Sequence, residues 1–163
     1  MIGALSARAD QWEAVTASDF ILKTVRTGAR IPVSRRPPCI RLPNRPLPPE
    51  SSAFVSAELD RLLALGAVRE LDRPPRCVSP LGVVPKRGGK LRLIHDLRAV
   101  NKFVRAPHFR CDDLQQLAPL LRPGDHLATF DLKDGFCHVQ VHPRDQELLG
   151  FSWEGRHYAW TVL

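Results

Sequence analysis

Apolar residues recur along this chain in two rhythms, one suited to helices and one to strands. Beyond Ser51, the residues Val55, Leu59 and Leu62 return at helical intervals, joined by Phe54 and Leu63, and so share one face of a helix of about three turns. Gly66 stands where a left-handed residue ends such a helix. A shorter helix is predicted over 17–25, where Phe20, Ile21, Leu22 and Val25 follow the capping residues Thr16 and Ser18. Segments 68–71, 78–85 and 91–97 read as extended, and Arg87-Gly88-Gly89-Lys90 joins the last two into a hairpin with a basic tip. Asp112 is placed to cap a further helix through Leu114, Leu117, Leu120 and Leu121, with Pro119 weakening its last turn and Pro123-Gly124 stopping it. Two strands are then expected: 127–131, which ends on the carboxylate of Asp131, and 136–141, which alternates after Gly135.

These elements predict a mixed α/β (α+β) architecture, and proline divides it. Residues 32–49 hold seven of the fifteen prolines, interspersed with Arg35, Arg36, Arg41 and Arg45. The missing amide donors favour extended, polyproline-like backbone, which reads as a linker or a wrapping arm. The expected organisation is an N-terminal helical arm over 1–31, a Pro/Arg-rich linker over 32–49 and a mixed body over 50–163. A length of 163 residues suits one compact unit, and 44% hydrophobic with 25% charged residues is ordinary globular usage. No run approaches the ~20 apolar residues of a membrane span, and residues 1–10 carry no apolar run of signal-peptide type. The expectation is an intracellular protein, of cytoplasm or nucleus, with no membrane partner.

Charge sharpens this picture by its position. Residues 1–107 carry 19 basic and 9 acidic groups, whereas residues 108–163 carry 5 basic and 8 acidic. Such a split suits a protein that grips phosphates with one part and uses carboxylates in another; a basic solvated surface is the plainer reading. Cys39, Cys77, Cys111 and Cys137 form no CxxC pair and read as reduced thiols. The spacings of His108 with Cys111 and of His138 with His142 are ligand-like, but neither has a second pair to complete a zinc site.

Three ordered blocks carry a resemblance. They are Ser79-Pro80-Leu-Gly-Val-Val-Pro85-Lys86, then Gly89-Lys90-Leu-Arg92-Leu-Ile-His-Asp96-Leu-Arg98-Ala-Val-Asn101, then Phe130-Asp131-Leu-Lys-Asp134-Gly135-Phe136-Cys-His-Val139. Over residues 49–163 the chain resembles reverse transcriptases, the RNA-directed DNA polymerases of retroelements. Trp12, Ile21-Leu22, Val25, Gly28, Ile31-Pro32, His108-Phe109-Arg110 and Asp131-Leu-Lys-Asp134 look like the DIRS-type, tyrosine-recombinase retrotransposons. The resemblance implies a fingers hairpin followed by the first half of a polymerase palm sheet, backed by a helix.

It also implies roles. Asp131 matches the first metal-binding, catalytic carboxylate, for magnesium with manganese as the alternative, since hard cations take oxygen ligands. Lys86 matches the lysine that holds the terminal phosphates of an incoming dNTP. Arg92 matches the arginine that reaches the α-phosphate while its plane packs on the base, two tasks a guanidinium combines. The turn Leu132, Lys133, Asp134, Gly135 and Phe136 would face the triphosphate, with glycine permitting close approach. Phe136 would pack under the sugar and exclude a 2′-hydroxyl; alone, it reads as a core residue at a strand start. Asp96, Arg98 and Asn101 match a block that positions the template, whereas by themselves Asp96 and Arg98 read equally as a local ion pair.

The family continues beyond Tyr158-Ala-Trp160-Thr-Val-Leu163 into a Pro-Phe-Gly block and a Tyr-x-Asp-Asp turn that brings further metal-binding carboxylates. The resemblance therefore implies a fragment or degenerate remnant, catalytically incomplete without the rest of the palm, the thumb and the RNase H region. The expected partners are an RNA or DNA template-primer and dNTPs. Two other functions stay open: a non-catalytic basic nucleic-acid-binding remnant, and a protein-interaction scaffold using an exposed sheet edge.

Overall fold

The computed structural model describes residues 2–86, 88–105, 113–131 and 135–163; Arg87, residues 106–112 and residues 132–134 lie outside this set, and with them the expected cap Asp112. The chain opens with a short helix, α1 (Ala9–Glu13), and the predicted second one, α2 (Asp19–Thr27), ended by Gly28. Gly28 has φ 90°, and a Cβ there would lie 2.7 Å from the His142 backbone nitrogen. Only glycine lets the chain pass so close, and the approach is used: the Ala29 amide donates to the Gln140 carbonyl at 2.7 Å and the His142 amide to the Ala29 carbonyl at 2.9 Å.

The proline-arginine segment wraps the body. It contributes β1 (Ile40–Arg41), and Asn44 beyond it bridges two strands, donating from Nδ2 to the Ser152 carbonyl at 2.7 Å and accepting from the Leu81 amide at 2.8 Å. The segment's last proline starts α3 (Pro49–Leu65), because the fixed φ of proline suits the first helical position. At 17 residues the helix is longer than the three turns expected from its apolar stripe. Val55, Leu59 and Leu62 are buried as predicted, and Gly66 closes the helix in the left-handed region at φ 74°, ψ 13°.

Beyond it come β2 (Val68–Leu71), β3 (Cys77–Val78), β4 (Leu81–Pro85) and β5 (Leu91–His95), then single-turn helices α4 (Arg98–Asn101) and α5 (Leu114–Leu117), and finally β6 (Gly150–Trp153) and β7 (Arg156–Trp160). A mixed five-stranded sheet has the order β1-β3-β6-β7-β2, parallel across β1, β3 and β6 and antiparallel across β6, β7 and β2. The antiparallel pair β4-β5 stands apart as a second sheet. Phe151 stacks on Tyr158 at 5.4 Å between ring centroids, and the α3 stripe packs over this pair with Leu81, Trp153 and Val162. The architecture is mixed α/β.

Several sequence-based expectations give way. The strand over 78–85 is two strands, because Ser79-Pro80 takes β3 into the large sheet and turns β4 out into the hairpin. The strand expected over 91–97 ends at His95. The strand over 127–131 does not form: Leu127 is 73% and Phe130 92% exposed, and no strand among the described residues pairs with it, so its backbone has no ladder to join. The alternating run 136–141 is a 3₁₀ turn, Gly135–His138, followed by isolated bridges from Gln140 to Val162 and from Val141 to Ala29. The helix after residue 113 lasts one turn before Pro119 converts it to 3₁₀ geometry, and Asp113 caps it, accepting from the Gln115 amide at 2.9 Å. The β6-β7 hairpin was not anticipated; its Glu154-Gly155 turn carries φ 48° and 78°. Among the described residues no helix is long and apolar enough to cross a membrane.

Gly150 supplies a stability test. A Cβ on it would sit 2.2 Å from Pro75 Cγ and 2.5 Å from the Cys77 carbonyl oxygen, whereas Gly82 has nothing within 4 Å. Gly150→Ala is expected to cost about 3 kcal/mol or more in urea unfolding, and Gly82→Ala about 0.5 kcal/mol or less.

Candidate nucleotide and nucleic-acid site

The β4-β5 hairpin brings the predicted cations together. Val84 pairs with Arg92 and Pro85 with Leu91, and the Lys86 amide donates to the Lys90 carbonyl at 2.6 Å across the tip. Gly88 and Gly89 take φ 83° and 75°, a turn that side chains with a Cβ rarely adopt. Between the hairpin and α3 lies a groove of about 350 Å³, lined by Lys86, Arg92 and His95 on one side and by Glu58 and Arg61 on the other, with Cys137 also in its wall. Arg61 is engaged by Glu58 at 2.7 Å. Lys86 and Arg92 therefore share one groove, and the residue that follows Phe136 reaches it.

Asp131 and Phe136 are placed differently. Asp131 is exposed, and no ion pair or hydrogen bond joins it to Lys86 or Arg92 among the described residues. Phe136 is 79% exposed, so the plain expectation of a core residue fails here. Gly135 beside it is half-buried, while Leu132, Lys133 and Asp134 lie outside the described residues. Among the described residues no group of three or more His, Cys, Asp or Glu side chains is arranged to hold a metal. Magnesium thus does not fit Asp131 with its described neighbours alone, because a hard cation needs more oxygen ligands than one carboxylate offers.

The other face of the hairpin carries the three residues expected to position a template. Asp96, Arg98 and Asn101 line a groove of about 950 Å³ together with Val84, Ile94 and, from the wrapping segment, Arg45. Asp96 accepts two hydrogen bonds from Arg98, from Nε at 2.8 Å and Nη2 at 2.6 Å. That pairing holds the Asp96 carboxyl well below its usual range, at about 2, with a smaller contribution from Arg45. The local ion pair is present, and with the Arg98 side chain 80% exposed it contributes little stability. Arg45 was legible only as one arginine of a proline-rich run; its position beside Asp96 comes from the wrapping path.

His95 was not singled out by the sequence, being one residue of the run 91–97 that reads as extended. It lies between the two grooves and lines both. Its Nε2 is 3.2 Å from the Gly150 carbonyl, to which the neutral ring donates, and its ring meets Phe151 edge-on at 5.5 Å. Burial pushes its pKa down to about 4. Two further buried groups, Ser79 Oγ and Tyr158 Oη, have no hydrogen-bond partner among the described residues. Cys39 and Cys77 are free thiols, as expected from their spacing.

Comparison with known proteins supplies relatives. No protein-family profile matches the chain. It is 29% identical over 115 residues to the Pro-Pol polyprotein of feline foamy virus, 32% over 120 residues to the Gag-Pol polyprotein of walleye dermal sarcoma virus, and 30% over 125 residues to the Transposon Tf2-3 polyprotein of Schizosaccharomyces pombe. These matches cover 71%, 72% and 76% of the chain, but only 10%, 7% and 9% of the respective polyproteins. Among solved structures it is similar to the native protease-reverse transcriptase of prototype foamy virus, with TM-score 0.69 and 25% identity over 83% of this chain and 18% of the other. The foamy viral protease-reverse transcriptase in complex with RNA/DNA hybrid matches at TM-score 0.59 and 25% identity, over 82% of this chain and 17% of that one. The chain is thus similar to a short segment of retroviral and retrotransposon polyproteins.

The half-buried imidazole makes stability depend on pH. With a folded pKa of about 4, below the ordinary 6.5, His95 is protonated more readily in the unfolded chain. Its contribution is therefore complete above pH 6.5 and is lost as pH falls toward about 4, by up to about 3 kcal/mol. Urea unfolding across this window should show the decline, and His95→Gln, which keeps an N–H for Gly150 but does not titrate, should flatten it.

Proposed function

We propose that this chain is the fingers hairpin and opening palm portion of a retroelement reverse transcriptase, contributing nucleotide and template contacts to RNA-directed DNA synthesis. The observation that carries the reading is the fold match to the prototype foamy virus protease-reverse transcriptase, at TM-score 0.69 over 83% of the chain. The groove shared by Lys86 and Arg92 supports it from the side of chemistry. Two cations on one hairpin suit a triphosphate: Lys86 as a point charge for the terminal phosphates, Arg92 as a planar fork for the α-phosphate and the base.

In this reading the 132–136 turn approaches the triphosphate, and Phe136, standing free of the core, packs under the incoming sugar and leaves no volume for a 2′-hydroxyl. Asp96, Arg98 and Asn101, with Arg45 opposite, guide the template strand through the second groove. Asp131 would offer one carboxylate oxygen to magnesium, which when bound would supply charge stabilisation for nucleotidyl transfer. The partner is a template-primer, a reading supported by the foamy viral relative in complex with RNA/DNA hybrid. The DIRS-type lineage is a finer proposal that rests on Trp12, Ile21-Leu22, Val25, Gly28, Ile31-Pro32, His108-Phe109-Arg110 and Asp131-Leu-Lys-Asp134.

A second reading, a non-catalytic nucleic-acid-binding remnant, is favoured by the exposure of Asp131 outside any cluster of metal ligands among the described residues. A chimera separates the two. The matching segment of the foamy viral enzyme is replaced by this chain, and primer extension is followed. The polymerase reading expects extension, with Asp131→Asn reducing single-turnover incorporation at least about a hundred-fold while primer-template binding stays within about two-fold. A folded chimera that binds primer-template without extending it supports the remnant, and near-wild-type incorporation by Asp131→Asn removes that carboxylate from the active site.

The hairpin cations are tested in the same chimera. Lys86→Ala and Arg92→Ala should each raise the nucleotide KM about ten-fold, the effect of losing a charge-assisted contact of roughly 1.5–3 kcal/mol, with little change in template affinity. Equal loss of template affinity with every nucleotide would instead make the hairpin a backbone grip.

A further inference from the structure

Four arginines converge away from both grooves. A cavity of about 550 Å³ is walled by Arg30 from the end of the N-terminal arm, Arg36 from the wrapping segment, Arg73 from the β2-β3 connection and Arg144 from the approach to β6. It shares no lining residue with the hairpin groove or with the Asp96 groove. Two of the four guanidiniums are neutralised: Arg30 by Asp145 at 2.6 Å, and Arg73 by Glu147 at 2.7 Å. Asp145 is buried, 5% exposed, and also accepts from the Ile31 amide at 3.0 Å, so it fixes one wall of the cavity against the body. Arg36 and Arg144 are exposed and have no ion pair among the described residues. Val33, Pro143 and Leu148 complete the cavity with apolar surface.

We propose that this cavity binds the phosphodiester backbone of a single-stranded nucleic acid, with Arg36 and Arg144 on the phosphates and a sugar or base against the apolar wall. The choice of ligand class rests on the nucleic-acid reading above. Guanidinium forks match phosphate oxygens, and the two internal ion pairs leave an excess of two positive charges facing a concave, partly apolar space. A duplex presents a rigid convex cylinder that cannot enter such a space, whereas a flexible strand can insert one nucleotide at a time. An acidic peptide would meet Asp145 and Glu147 without using the apolar wall.

The test is fluorescence anisotropy of the full chain with a labelled oligo(dT) strand across a salt series. Arg36→Ala and Arg144→Ala should each weaken binding about three- to ten-fold at low salt and flatten the slope of log affinity against log salt by about 0.7. Arg36→Lys and Arg144→Lys should recover most of the slope. Lys23→Ala, which removes an equal charge from α2 outside the cavity, should change affinity less than about two-fold. Both arginines are exposed and unpaired, and an unchanged urea midpoint would establish that the variants keep the fold. Cavity variants that behave like Lys23→Ala, in a chain that still binds the strand, overturn this inference and leave the polymerase reading standing. Displacement of the strand by polyglutamate at equal charge concentration assigns the cavity to acidic peptide and overturns it too. Absence of strand binding by the unaltered chain overturns both.

Discussion

The backbone of Gly150 is the meeting point of the fold. Its carbonyl accepts from the Ser79 amide at 2.9 Å and faces His95 Nε2 at 3.2 Å. Its Cα pairs with Val78 on one side and Ala159 on the other, and Pro75 covers the place a side chain would fill. One residue thus ties the parallel and antiparallel halves of the large sheet to the base of the hairpin. Because β4 and β5 form a separate two-stranded sheet, and an isolated hairpin is marginal in water, their position depends on such anchors and on Leu81, Val83 and Leu93 packing toward the core.

This anchoring explains how the candidate residues are distributed. The hairpin separates two grooves, one holding Lys86 and Arg92, the other Asp96, Arg98 and Asn101, and His95 lies between them on β5. The ring is neutral at physiological pH because burial disfavours its charged form, so it serves as packing and as a hydrogen-bond donor. The basic character of the molecule is likewise partitioned: cations in the hairpin groove stand apart from the arginine cavity near Asp145, and each Asp or Glu there cancels a particular neighbour.

What could be read in advance followed the range of the interaction that made it. The α3 stripe, its Gly66 cap and the glycine-tipped hairpin are written in residues close in sequence, and all three formed where expected. Leu127 to Asp131 has the composition of a strand, but a strand is made by its neighbour, and none of the described strands lies beside it. The split at Ser79-Pro80 failed to appear for the same reason, since it follows from β3 pairing with β1 and β6, far away in sequence. At the two grooves, Lys86, Arg92, Asp96 and Arg98 were legible only through the resemblance that the ordered blocks carry. The convergence of Arg30, Arg36, Arg73 and Arg144 was not, because it requires the path of the proline-rich segment around the body.

That path is held in part by one side chain. Asn44 alone satisfies both the Leu81 amide and the Ser152 carbonyl. Since a buried amide must keep a partner or be solvated, lifting the segment uncovers these groups without unfolding α3 or the β6-β7 hairpin. The Leu81 amide is accordingly a natural reporter in hydrogen-deuterium exchange: its opening free energy measures how firmly the arm is closed, separately from the stability of the core it covers.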